Sequence, residues 1–262
     1  MKWSMIRKLT LVTVACCAVA APVKTVLAAE GAATPPNQSW SFEGPFGQYD
    51  KAALQRGFLV YKNVCSACHS MKYMSYRNLD ALGYSEEQIK SIASEYTIQD
   101  GPDDEGEYFE RPGRPSDRFK SPFENSQQAK AANGGAEPPD MSLLVHARPH
   151  GADYIYALIA KGFDDSGEHH MELSAGQYYN KYMLNGNVIS MTPPLSDGLV
   201  SYPDGSPETV DQYARDVAEF LQYASDPHME ARKEVGIRVM IFLFFFCLVF
   251  YMAKKKLWKD VH

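Results

Sequence analysis

The sequence predicts a mainly α-helical fold: a helical domain with long loops, carried on one C-terminal transmembrane helix. Three observations predict it. Apolar residues recur at helical spacing in four short stretches, separated by segments rich in proline and glycine. Residues 65–69 read Cys65-Ser66-Ala67-Cys68-His69, a compact cluster of metal- and vinyl-reactive side chains. An unbroken apolar run closes the chain just before Lys254-Lys255-Lys256.

The chain opens on Lys2, Arg7 and Lys8, then a largely apolar run from Leu9 to Val23, then Val26-Leu27-Ala28 before Ala29. This basic, apolar, small-residue order is that of a secretory signal peptide, assigned to residues 1–28. A first membrane helix is the bland alternative, but the run is short and ends in a cleavable pattern. Cleavage would remove Cys16 and Cys17 and leave Cys65, Cys68 and Cys247. Residues 29–228 then form an exported domain, long enough for one core.

Asp50 is placed to cap a helix running to Tyr61, with Ala53, Leu54, Phe58 and Tyr61 on one face and Gly57 open to close approach. That helix leads into the Cys-x-x-Cys-His motif. Two thiols three positions apart on one helical turn can each add to a vinyl group of a single haem, and His69 follows as an axial imidazole. A zinc site would need two more ligands at matching spacing, and the other cysteines lie in apolar runs. A thioredoxin-like pair would need a preceding strand, where this chain has helical spacing. The motif therefore reads as covalent attachment of one c-type haem.

A second helix is expected over Ser85–Tyr96. From Gln99 to Asp140 the periodicity dissolves among Pro102, Pro112, Pro115, Pro122, Pro138 and Pro139; so long a loop needs something to wrap, and a haem would serve. A short helix is expected over Asp153–Ala160, then an irregular stretch from Gly162 to Tyr202. Thr209–Ala224 follows as an amphipathic helix whose stripe is Val210, Tyr213, Val217, Phe220 and Leu221, and Asp226-Pro227 ends it. No internal repeat and no strand-rich region is evident.

An electron-carrying haem usually keeps a sixth ligand, Met or His. Met71 and Met74 lie too near His69 to reach the opposite face; Met141 is expected to pack; Met171, Met183, His169 and His170 sit in loops. Met191 stands apart because Pro193-Pro194 hold the following chain extended and stiff. Spacing alone leaves it against the reading of an ordinary packed methionine.

Residues 229–256 are assigned as the anchor. Val235–Met252 is apolar all round, Arg238 can snorkel outward, and Tyr251 and Trp258 suit the far interface. The three lysines place residues 257–262 as a cytoplasmic tail. Between residues 29 and 234 there are 17 Lys and Arg against 31 Asp and Glu, a net charge of −14. Such a domain repels nucleic acid and attracts basic proteins, unless the charge is merely a solvated face.

Taken together, these segments resemble cytochrome c1, the membrane-anchored haem subunit family of ubiquinol–cytochrome c reductase. The likeness rests on Cys65–Met71, Tyr76-Arg77-Asn78-Leu79, Ala131-Ala132-Asn133-Gly134-Gly135-Ala136, Pro138-Pro139-Asp140-Met141-Ser142, Ala147-Arg148, Gly151-Ala152-Asp153-Tyr154 and Gly186–Leu195. It implies a cytochrome c-type haem domain with His69 and Met191 as the axial pair. It also implies Asn133, Pro138 and Pro139 lining the haem and Arg148 pairing with a propionate, as a guanidinium can with a carboxylate. It further implies electron transfer from a Rieske iron–sulfur protein to cytochrome c, beside cytochrome b in a dimeric multisubunit complex of a bacterial inner membrane, with the haem domain in the periplasm. Some bacterial members brace the loop before the methionine with an extra cysteine pair; this chain has no cysteine between Cys68 and Cys247, so packing must hold Met191. Two rivals remain: a tethered cytochrome c relay to a terminal oxidase or reaction centre, and a haem enzyme with an open sixth position, such as a peroxidase.

Overall fold

A computed structural model describes residues 32–163, 173–184 and 186–259. The signal segment 1–28, His169, His170 and Met171 lie outside the described residues.

Helix α1 (Lys51–Asn63) begins where Asp50 accepts a hydrogen bond from the Ala52 amide at 2.9 Å, the expected cap. Its buried face meets α5 (Val210–Ser225), capped by the Thr209 hydroxyl. Of the expected α5 stripe, Tyr213, Val217, Phe220 and Leu221 are buried and Val210 is half-buried at the edge. The helices cross at Gly57: a Cβ there would stand 2.1 Å from the Asp216 carbonyl oxygen, so only glycine fits. Beside the crossing, Arg56 grips the buried Asp216 carboxylate with two bonds of 3.0 Å. Tyr202 and Gln212 donate to the same carboxylate at 2.9 and 3.1 Å. A charge this deep is tolerable because every lone pair is engaged.

Helix α4 (Gly151–Ala160) also packs on α5, starting two residues earlier than the periodicity suggested, and the chain enters it through positive φ angles of 66° at His150 and 52° at Gly151. Helix α2 (Glu86–Ser94) starts in a capping box in which Ser85 and Gln88 bond each other's amides.

The segment expected to be one long loop has local structure of its own. Strands β1 (Thr97–Asp100) and β2 (Phe109–Pro112) form an antiparallel hairpin with Thr97 opposite Pro112. Arg111 ties it down, paired with Asp100 and bonded twice to Asp117. Helix α3 (Ser126–Ala132) follows, capped by Asn125 and burying only Ala129. A second hairpin joins β3 (Tyr178–Tyr179) to β4 (Val188–Ile189).

Helix α6 (Met229–Leu257) leaves the domain at a break over Asp226–His228. Its first turns grip the domain: Met229 is buried, Glu230 accepts from the Tyr49 amide at 2.7 Å, and the Lys233 ammonium donates to the Phe42 and Gly47 carbonyls at 2.6 and 3.1 Å. Beyond them the helix is apolar and bare on all sides, with a mean hydropathy of 2.4, so it is long and apolar enough to cross a bilayer. Arg238 pairs with Glu234, and Lys254 and Lys255 lie over the Trp258 and Tyr251 rings at 5.3 and 5.6 Å. Charged and aromatic side chains thus flank the apolar stretch at both ends, the pattern that suits a membrane-spanning helix.

Candidate haem site

Helix α1 ends at Asn63, and the chain tightens into a 3₁₀ turn over Cys65–Ala67. The Cys68 and His69 amides both donate to the Cys65 carbonyl, at 3.1 and 2.9 Å. This turn sets the two thiols on successive positions of one coil. Cys65 is half-buried, Cys68 is exposed, and neither is in a disulfide. Burial, and then the nearby Cys68, push the Cys65 thiol up to about 12. A raised thiol is the opposite of the lowered one that disulfide-exchange pairs use.

The His69 ring is 9% exposed, and its Nδ1 lies 2.9 Å from the Pro139 carbonyl oxygen. A carbonyl only accepts, so Nδ1 carries the proton and the Nε2 lone pair is left for a metal. Burial holds the imidazole below its ordinary value, against smaller pulls from the Pro139 carbonyl and Asp140. The ring is therefore neutral at physiological pH, the state that ligates.

Several residues without an assigned role hold the Pro139 carbonyl in place. The Asp140 carboxylate accepts from the Ser70 hydroxyl at 2.8 Å and from the Lys72 and Ser142 amides at 2.9 Å. The Met141 amide donates to the Ser70 carbonyl at 2.8 Å, the Tyr73 amide to the Ser142 hydroxyl at 3.0 Å, and the Tyr61 hydroxyl to the His69 carbonyl at 3.2 Å. Burial alone would raise the Asp140 carboxyl; the bonds from Ser142, the Lys72 amide and Ser70 outweigh it and bring it below the usual range. The only signal for this brace in the sequence was polar residues directly after Pro138-Pro139.

The remaining candidates divide. Pro138 is half-buried and Pro139 exposed, on the strap that reaches His69. Asn133 caps the end of α3, its amide donating to the Ala129 carbonyl at 2.7 Å, with Gly134 and Gly135 at positive φ beyond it. Arg148 is half-buried, bonded to the Ala147 carbonyl at 3.1 Å and in reach of the Tyr154 hydroxyl. Among the described residues no carboxylate neutralises it. Met191 follows β4 in a half-buried bend before Pro193-Pro194, and no hydrogen bond among the described residues joins its loop to the Cys-x-x-Cys-His turn. Among the described residues, the competing sulfurs lie in the core or beside another side chain. Met71, Met74 and Met141 are core residues at 0%, 2% and 8% exposure, and the Met183 sulfur lies 3.9 Å from the Tyr154 hydroxyl.

Two thiols outside any disulfide on one turn, an imidazole whose Nδ1 is engaged by a carbonyl, and a guanidinium that meets no carboxylate among the described residues fit a haem bearing vinyl and propionate groups. Fold and site together define a membrane-anchored carrier of a covalent c-type haem. The family model described as the Cytochrome C1 family matches residues 40–261. Cytochrome c1 of Rhodospirillum rubrum is 45% identical over 246 residues, 88% of this chain and 90% of its own length. The mitochondrial cytochrome c1 heme protein of Saccharomyces cerevisiae is 38% identical, covering 91% of this chain and 76% of its own. A Bradyrhizobium diazoefficiens protein named cytochrome b/c1 is 48% identical over 89% of this chain, which spans only 37% of that longer protein. The chain belongs to the cytochrome c1 family, and it is an electron-transfer haem subunit with a covalently bound c-type haem.

Proposed function

We propose that the chain relays single electrons within a cytochrome b–c1 complex, taking them from a Rieske iron–sulfur protein and passing them to a cytochrome c. The observation that carries this reading is the His69–Pro139 bond at 2.9 Å beneath the two unpaired thiols. Bound haem supplies a one-electron ferrous–ferric couple, raised in potential by methionine ligation. Cys65 and Cys68 would hold it by thioether bonds, and His69 and Met191 would supply the imidazole and thioether ligands of its iron. Arg148 would compensate a propionate, and Asn133, Pro138 and Pro139 would line the group.

Residues 1–28 are a removed export signal, residues 29–228 stand in the periplasm, residues 229–256 anchor them in the lipid, and residues 257–262 are cytoplasmic. The acidic outer domain steers a basic cytochrome toward it, and a brief encounter suits a small interface. Affinity purification of the tagged chain in mild detergent tests the assembly. Cytochrome b and a Rieske protein are expected to copurify in near-equal amounts; a chain that comes out alone, or with a terminal oxidase, contradicts it and favours the tethered relay.

A further inference from the structure

Met191 sits in a loop with no crosslink, yet an axial ligand must be held in place. The structure shows what holds the hairpin that delivers it. Asn180 directly follows β3 and is 0% exposed. Its backbone amide donates to the Asn187 carbonyl at 2.8 Å, closing the hairpin two residues inside the Tyr178–Ile189 pair. Its side-chain amide donates to the Leu158 carbonyl in the last turn of α4 at 2.8 Å, and its side-chain oxygen accepts from the Tyr182 amide at 3.1 Å. The Lys181 amide adds a bond to the Gly162 carbonyl at 3.0 Å. The seat is tight: a Cβ on Gly162 would stand 2.2 Å from the Asn180 side-chain oxygen, so a glycine makes room for this amide.

We propose that Asn180 is the positioning residue for Met191, a polar rivet that fastens the β3–β4 hairpin to the end of α4 and so holds the sulfur at its distance from His69. The inference rests on Met191 being the second axial ligand. Fully buried, the Asn180 side-chain amide serves one carbonyl of α4 and one amide of the hairpin turn at once, and displacing the hairpin from α4 breaks both bonds. The rivet does by hydrogen bonds what a disulfide does by covalent constraint, and it is absent once the side chain is removed.

The test uses the full-length holoprotein in detergent and reads carbon monoxide binding to the reduced haem together with the reduction potential. Met191→Leu serves as the open-site reference. Asn180→Ala and Gly162→Ala, which forces the amide from its seat without touching it chemically, are both expected to bind carbon monoxide more readily than the native protein and to lower the potential. Native-like carbon monoxide resistance and potential in both variants, with an open site in Met191→Leu, overturn the rivet alone. Native-like behaviour in Met191→Leu itself overturns the ligand assignment beneath it. If Asn180→Ala yields no holoprotein, Gly162→Ala decides the matter.

Discussion

A main-chain oxygen settles the chemistry of His69. Because the Pro139 carbonyl takes the Nδ1 proton, the tautomer is chosen before any metal arrives, and the ring cannot rotate without losing a bond. The network on Asp140 makes that carbonyl rigid, since the carboxylate holds two amides and a hydroxyl from both sides of the contact. Asp140→Ala is therefore expected to destabilise the holoprotein by about 1–3 kcal/mol, the range for leaving buried donors unpaired. It is also expected to shift the reduction potential. Denaturant titration with a parallel redox titration checks both, and native values in each contradict the brace. The turn that carries Cys65, Cys68 and His69 stood out in the sequence because its chemistry is packed into five adjacent positions, and the proposed attachment site follows from it. The brace was not, because a carbonyl has no residue identity, and Asp140 and Ser142 look like ordinary turn residues.

Among the elements, the α1–α5 crossing carries the domain. Phe220 contacts both Phe58 and Tyr61 with ring centroids 5.8 Å apart, and Gly57 lets the two backbones meet. Gly57→Ala puts a methyl group into the Asp216 carbonyl, and the helices must part. The expected cost is at the upper end of overpacking, about 3 kcal/mol, read as a lower midpoint of thermal unfolding; an unchanged midpoint contradicts the close approach. Both helices were legible because each has a cap and a stripe at helical spacing. The β1–β2 hairpin and α3 were not. The strands are four residues long and mostly polar, with Arg111 ion pairs in place of apolar alternation. Helix α3 buries a single alanine, so it has no stripe to detect. The β3–β4 hairpin was hidden for a related reason: each strand is only two residues long, too short to show alternation.

For the whole molecule, three features combine: a haem turn at the end of α1, an acidic domain around it and a free apolar helix below. The Lys233 and Glu230 contacts root that helix in the domain, so its first turns and the haem domain are held as one piece. The −14 charge of residues 29–234 predicts that reduction of a basic cytochrome slows steeply as ionic strength rises, because screening shortens the reach of the field. A rate flat in salt contradicts steering. The apolar closing helix and the charge were legible from composition; the rooting contacts were not, because they join positions 181 to 191 residues apart. The central claim is a six-coordinate haem between His69 and Met191. Its most direct test is the visible and electron paramagnetic resonance spectrum of oxidised Met191→Leu beside Met183→Leu. The account predicts that the low-spin signal is lost in Met191→Leu and kept in Met183→Leu; a low-spin spectrum unchanged in Met191→Leu would contradict it.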